Sequence, residues 1–169
     1  MDAKKEYSVF LVDDNKIFLS TLRNGLEGQF GSLLKISEYN TGEECLHDMD
    51  PLPDIIFLDY YLDTNENPNA MNGIKVLGAI KAISKDIVVI MLSSQDSLEV
   101  AVEAIKCGAY DYIAKSESAL VRILNTVINI TENINTEKVK KKYFNMNILL
   151  AVIVVAIILI DVIWYTMTH

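Results

Sequence analysis

Five short apolar runs alternate along this chain with five stretches of helical periodicity. Val9-Phe10-Leu11-Val12 reads as a buried strand over residues 7–12 that ends on two adjacent carboxylates, Asp13 and Asp14. Lys16 to Glu27 then places Ile17, Phe18, Leu22 and Leu26 on one helical stripe, and Gly25 and Gly28 predict its end. Leu33 to Tyr39 alternates through Leu34 and Ile36 as a second strand. Thr41 and Glu44 have the spacing of a capping box and open a short helix that Pro51 and Pro53 stop. Asp54 to Leu58 is a third strand with Asp59 at its tip. Beyond the polar loop Asp63 to Asn69, a helix over Ile74–Ser84 carries Val76, Leu77, Ile80 and Ile83 on one face. Ile87 to Leu92 is apolar on both faces, as parallel strands covered on two sides are, and it ends at Ser93. A fourth helix carries Leu98, Val102 and Ile105 and closes at Gly108 as a C′ glycine. The last strand, Tyr110 to Ala114, ends at Lys115; a fifth helix begins near residues 116–118 and carries Leu120, Ile123, Leu124, Val127 and Ile130.

Strand and helix alternating five times predict an α/β fold, a doubly wound parallel sheet with helices on both faces and right-handed crossovers. Ligands of such sheets sit beyond the carboxyl ends of the strands. Asp13, Asp14, Asp59, Ser93 and Lys115 all fall at those ends. Taken singly, each has an ordinary role: a helix N-cap for Asp13 or Asp14, a turn residue for Ser93, a solvated charge for Lys115. Together they form one chemical constellation. Three converging carboxylates repel unless one takes a proton or a cation joins them. A hard divalent ion such as Mg²⁺ suits oxygen ligands, Lys115 supplies a positive charge for an anion, and Ser93 supplies a hydroxyl donor. An aspartate, a Mg²⁺ ion, a lysine and a hydroxyl describe phosphoryl transfer onto a carboxylate.

Composition and charge narrow the picture. The chain has 169 residues, 51% of them hydrophobic, with a formal net charge of −8. The acidity lies in residues 1–136, whereas residues 137–169 carry four lysines and two acids. An acidic globular part argues against nonspecific nucleic-acid binding, which needs basic surface. Cys45 and Cys107 lie outside any metal-ligand spacing and read as buried or partly buried thiols of a reducing compartment. There is no G-x-x-x-x-G-K loop and no G-x-S-x-G elbow, and His47 stands alone in a helix. Residues 1–6 are followed by no apolar stretch long enough for a secretory signal.

The hydrophobic excess sits in the tail. Lys138, Lys140, Lys141 and Lys142 precede an uncharged run from Tyr143 to Ile160, with Asp161 after it. As a helix, Ile148 to Tyr165 would span about 27 Å against a bilayer core of about 30 Å. Tyr143-Phe144 and Trp164-Tyr165 bracket the run as interfacial aromatics do. The expectation is a polar stalk over 133–142 and a single-pass transmembrane helix over 143–166. The lysines would place the globular part on the cytoplasmic side of the inner membrane.

The motifs Phe10-Leu11-Val12-Asp13-Asp14-Asn15, Asp54 to Asp59, Asn72-Gly73, Val89 to Ser93 and Gly108 to Lys115 together resemble the response-regulator receiver domains of two-component signalling. The resemblance covers about residues 7–132, and the domain it implies spans residues 1–132. It implies a flavodoxin-like sheet of order 2-1-3-4-5. It further implies Asp59 as acceptor of phosphate from a sensor histidine kinase or phosphotransfer protein, and Mg²⁺ held by Asp13, Asp14, Asp59 and the Tyr61 backbone carbonyl. Lys115 and Ser93 would contact the phosphate, Tyr112 would be the aromatic switch, and Tyr61 and Gln95 would tune the phosphate lifetime. Signalling would pass through the face of the fourth helix, fifth strand and fifth helix to another protein. A phosphate sink draining a kinase and a phosphorylation-independent scaffold are the alternatives. After residue 132 too little chain remains for a DNA-binding or catalytic output domain. Three features depart from the family pattern. Ser116 stands where proline follows the lysine, and a cis non-proline peptide there would cost about 3 kcal/mol. The loop after Asp59 is long, and although it holds Asp63, Asn65 and Asn67, Pro68 and Ile74 break the frame of a calcium loop. Tyr61 is bulky enough to shield an acyl phosphate, so slow self-dephosphorylation is expected.

Overall fold

The computed structural model describes residues 6–62, 71–95 and 97–168, without the side chains of 135, 137–139, 141–142, 154–155, 157–163 and 165–168. The loop residues 63–70 and Asp96 lie outside the described residues. The described chain divides into two compact units, with the division after Thr126.

The first unit holds five strands, β1 (Tyr7–Val12), β2 (Leu34–Tyr39), β3 (Ile55–Asp59), β4 (Val88–Ser93) and β5 (Asp111–Ala114). All pair in parallel in the order β2-β1-β3-β4-β5. This is the doubly wound order that the resemblance implies. β3 is buried along its whole length and β4 nearly so, because helices cover both faces of the sheet. Asp54 fixes the start of β3 against β1: its backbone N–H donates to the Ser8 carbonyl at 2.9 Å, and its carboxylate accepts from the Ser8 N–H at 3.0 Å.

The helices are α1 (Lys16–Phe30), α2 (Gly42–His47), α3 (Gly73–Ile83), α4 (Leu98–Lys106) and α5 (Ala119–Thr168). Asn15 caps α1, its side-chain oxygen accepting from the N–H groups of Ile17 and Phe18 at 3.0 and 3.1 Å. Thr41 caps α2 as its spacing predicts, accepting from the Glu44 N–H at 3.2 Å. The Glu44 carboxylate returns to the Asn40 N–H, one residue before the cap. Gly108 takes φ 98° after α4, the left-handed geometry a C′ glycine supplies.

Four expectations change. α1 continues through Gly25 and Gly28 to Phe30, and it buries Leu19, Leu22 and Leu26 while Ile17 is exposed. Gly25 serves packing: a Cβ there would lie 2.6 Å from the Leu120 side chain of α5. On α3 the inward face is Val76, Leu77 and Ile80, and Ile83 is half exposed. On α4 the predicted stripe of Leu98, Val102 and Ile105 faces solvent. The inward residues there are the smaller Val100, Ala101 and Ala104, which let the helix approach the sheet closely.

α5 is one helix from Ala119 to Thr168, and most of it makes up the second unit. Among the described residues no helix is long and apolar enough to cross a membrane, so the transmembrane helix expected over 143–166 is not found. The described side chains from Tyr143 to Ile153 make up eleven residues, about 16 Å of helix and about half a bilayer core. Asn145 and Asn147 also interrupt that stretch.

Candidate functional site

The carboxyl ends of β1, β3, β4 and β5 deliver Asp13, Asp59, Ser93 and Lys115 to one edge of the sheet. Asp13, Asp59 and Ser93 are buried and Asp14 is exposed. One ligand oxygen from each of Asp13, Asp14 and Asp59 lies within 4.8 Å of the others. Because Asn15 is the N-cap of α1, neither Asp13 nor Asp14 is spent on that task. Asp13 Oδ1 accepts from the Asn15 N–H at 3.0 Å, which aims Oδ2 away towards Lys115.

Lys115 bridges the two buried carboxylates. Its Nζ lies 2.6 Å from Asp13 Oδ2 and 2.9 Å from Asp59 Oδ1. It is not a solvated charge, for its side chain is 12% exposed and its ammonium sits 4.6 Å from the centre of the Phe18 ring. Apart from these ion pairs, Asp13 Oδ2 and Asp59 Oδ1 receive no hydrogen bond. Burial raises both carboxyl pKa values above the ordinary 3.8, with Lys115 opposing the rise; the Asp13 charge pushes that of Asp59 further up, as Asp14 does that of Asp13. Three carboxylates and one ammonium leave two negative charges, and two buried oxygens await a partner stronger than a shared lysine. Those features fit a divalent cation with oxygen ligands, and Asp13, Asp14 and Asp59 are the residues that could hold it.

The loops around the cluster are fixed by the backbone. Tyr60 N–H donates to the Leu92 carbonyl at 2.8 Å, extending the β3–β4 ladder past Asp59. Gly73 N–H donates to the Tyr60 carbonyl at 3.1 Å. A Cβ on Gly73 would lie 2.2 Å from the Asp59 carbonyl oxygen, so this close approach requires glycine. Lys115 N–H donates to the Ser93 carbonyl at 2.7 Å. The Lys115–Ser116 peptide is trans; Asp50–Pro51 is the cis bond among the described residues.

The remaining candidates converge on Gln95. Its N–H donates to Ser93 Oγ at 3.1 Å, and its side-chain oxygen accepts from the Tyr61 hydroxyl at 2.8 Å. Its backbone carbonyl accepts from the Tyr112 hydroxyl. The Tyr112 ring is buried in the core, and Tyr61 is 36% exposed. Tyr60 meets Tyr61 edge-on at 4.7 Å and donates to Glu103 at 3.3 Å. Phe18 falls on the helical stripe predicted for α1, but no local pattern in the sequence places its ring under the Lys115 ammonium.

The sequence profile of the response regulator receiver domain matches residues 9–128. The chain is 32% identical over 108 residues to the transcriptional regulatory protein PrrA of Mycobacterium leprae, covering 63% of this chain and 42% of PrrA. It spans less than half the length of the curated relatives it matches. Among solved structures it is similar to a response regulator receiver domain protein of Methanospirillum hungatei, with a TM-score of 0.64, 20% identity and coverage of 78% of this chain and 99% of that one; this likeness shows the fold. It is also similar to a response regulator protein of Burkholderia pseudomallei with a phosphorylated aspartic acid, a calcium ion and citrate, with a TM-score of 0.61, 25% identity and coverage of 78% and 73%. With its sheet order, its acidic edge and a profile match across most of its length, the chain belongs to the response regulator receiver domain family.

Proposed function

We propose that Asp59 accepts a phosphoryl group from a sensor histidine kinase or phosphotransfer protein, with Mg²⁺ held by Asp13, Asp14, Asp59 and the Tyr61 backbone carbonyl. The observation that carries the reading is the Asp59 carboxylate itself. It is 3% exposed, ends a fully buried strand, and faces a lysine ammonium at 2.9 Å inside a cluster of acids. An Asp59 oxygen attacks phosphorus and the bond to the donor nitrogen breaks. Asp13, Asp14 and Asp59 would hold the ion, which would supply positive charge against the acids and the transferring oxygens. Lys115, already directed at Asp59, pairs with the phosphate, and Ser93 donates its hydroxyl to it. The phosphorylated aspartic acid of the Burkholderia protein supports the same chemistry here.

The output is a protein contact. α4, Tyr110 just before β5 and the first turn of α5 present Leu98, Val102, Ile105, Tyr110 and Val121 to solvent, exposed apolar side chains of the kind partner proteins cover. The transcriptional role in the name of PrrA is not carried over, because the match covers 42% of that protein. A phosphate sink is the second reading, and the lifetime of phospho-Asp59 separates the two: minutes or longer favours a switch, seconds a sink.

We also propose that the domain works at the inner face of a membrane. Support comes from the uncharged run from Tyr143 to Ile160 after four lysines, and from the exposure of Tyr143, Phe144, Ile148 to Leu150, Val152, Ile153 and Trp164. Fractionation with and without residues 143–169 tests this, and full-length protein in the soluble fraction would overturn it. Incubation with a small phosphodonor and Mg²⁺, comparing wild type with Asp59→Asn, tests the acceptor. Equal labelling of the two would overturn it.

A further inference from the structure

The Lys115 ammonium meets three groups, and they differ in kind. Two are carboxylates, Asp13 Oδ2 at 2.6 Å and Asp59 Oδ1 at 2.9 Å. The third is the face of the Phe18 ring, whose centre lies 4.6 Å from Nζ. With a divalent cation at the acids, the carboxylates share their charge between that cation and the lysine, so both ion pairs weaken. A lysine stem then has the rotamer freedom to swing out to water. The ring does not change: its negative face attracts an ammonium whatever the acids are doing. Phe18 is itself held in place. Its N–H donates to the Asn15 side chain at 3.1 Å, and the Asn15 N–H donates to Asp13 Oδ1 at 3.0 Å, so the turn that aims Asp13 also carries the ring. Phe18 and Lys115 share the wall of a cavity of about 340 Å³ between α1 and α5, with Leu22, Leu120 and Ile123. A smaller side chain at position 18 would leave the ammonium free space on that side.

From this arrangement we infer that Phe18 is a positioning residue for phosphoryl transfer: its ring is a cation seat that keeps the Lys115 ammonium at the acidic edge, directed at the phosphoryl group on Asp59. The inference rests on the proposed phosphorylation of Asp59. Phe18 touches neither the phosphate nor the acids; it acts through Lys115, by the charge of its ring face as well as by its bulk. The backbone of Lys115 is anchored by its N–H to the Ser93 carbonyl at 2.7 Å, so the seat has only the flexible stem to restrain.

The probe is beryllofluoride, which takes the place of a phosphoryl group on an aspartate, and its affinity for the full-length protein with Mg²⁺ is read by NMR titration of the amides beside Asp59. Phe18→Leu keeps an apolar side chain without a ring and is expected to weaken binding about fivefold. Phe18→Trp offers a stronger cation seat and is expected to hold affinity at the wild-type level or above it. Mono-, di- and trifluorophenylalanine placed at position 18 keep the shape of the ring and drain negative charge from its face, so affinity is expected to fall stepwise along the series. In a Lys115→Met background the same series is expected to be flat, because no cation remains to be seated. A merely structural role for Phe18 would not follow ring charge at constant shape. A flat fluorine series in the presence of Lys115, or one that keeps its slope without Lys115, would overturn the seat. Failure of wild type to bind beryllofluoride at all would instead overturn the proposed function, and the role of the seat with it.

Discussion

Lys115→Met isolates the electrostatics of the acidic edge. Methionine keeps an unbranched apolar stem but removes the ammonium, both from the Phe18 ring and from Asp13 Oδ2 and Asp59 Oδ1, which stay buried with no ion-pair partner. Removing one partner of a buried ion pair costs about 3–5 kcal/mol, because the other charge is left uncompensated. One lysine here serves two acids, and Asp14 beside them is open to solvent, so the lower end applies, about 3 kcal/mol. In a chain of this size that is a fall of about 6–12 °C in Tm. The assay is thermal unfolding followed by circular dichroism at pH 7 in EDTA. The loss is expected to shrink when Mg²⁺ is added, since the ion takes over the neutralising role, and also as the pH is lowered, since burial raises both carboxyl pKa values and protons then do so. A variant as stable as wild type in EDTA, or a loss indifferent to both Mg²⁺ and acid, would refute the account of the cluster.

The same carboxyls set the pH dependence of the metal-free protein. Their folded pKa values lie above the ordinary 3.8, so the folded state binds more protons than the unfolded one between the two, and stability falls as pH rises through that window. Asp59→Asn removes one such charge and is expected to raise Tm in EDTA at pH 7 by about 2–4 °C, read by the same melts. Gly73→Ala forces a Cβ to within 2.2 Å of the Asp59 carbonyl and is expected to cost about 1–3 kcal/mol in urea unfolding, with reduced Asp59 labelling. Iodoacetamide at pH 8 is expected to modify exposed Cys107 and to spare buried Cys45, whose thiol is pushed up to about 12; peptide mapping of native protein reads the difference.

The sheet was legible because its strands are short apolar runs with sharp polar ends, and the acids at those ends gave the site away. Asp13, Asp59 and Lys115 meet, and Ser93 ends a strand at the same edge, where the alternation of strand and helix says they should. Helix faces were less legible. α4 carries two candidate stripes, and a periodicity of large apolar residues favoured Leu98, Val102 and Ile105. Close packing on the sheet selected small Ala101 and Ala104 instead, and left the larger residues outside. On α1, Gly25 looked like a terminator because its propensity is poor, but it answers to Leu120, a contact far away in sequence. Tyr61 and Gln95 were both visible as residues beside the site, yet nothing local says that their side chains meet. That contact depends on the β3–β4 register and on the path of two loops.

The central claim is that one carboxylate, that of Asp59, takes the phosphoryl group. Wild-type protein labelled with a small phosphodonor and Mg²⁺, then reduced with borohydride, converts an aspartyl phosphate to homoserine at the position that carried it, and peptide mass spectrometry reads that position. Homoserine at residue 59, dependent on Mg²⁺ and with none at residues 13 or 14, is the predicted result. Homoserine at Asp13 or Asp14 with Asp59 untouched, or no conversion anywhere, would contradict it.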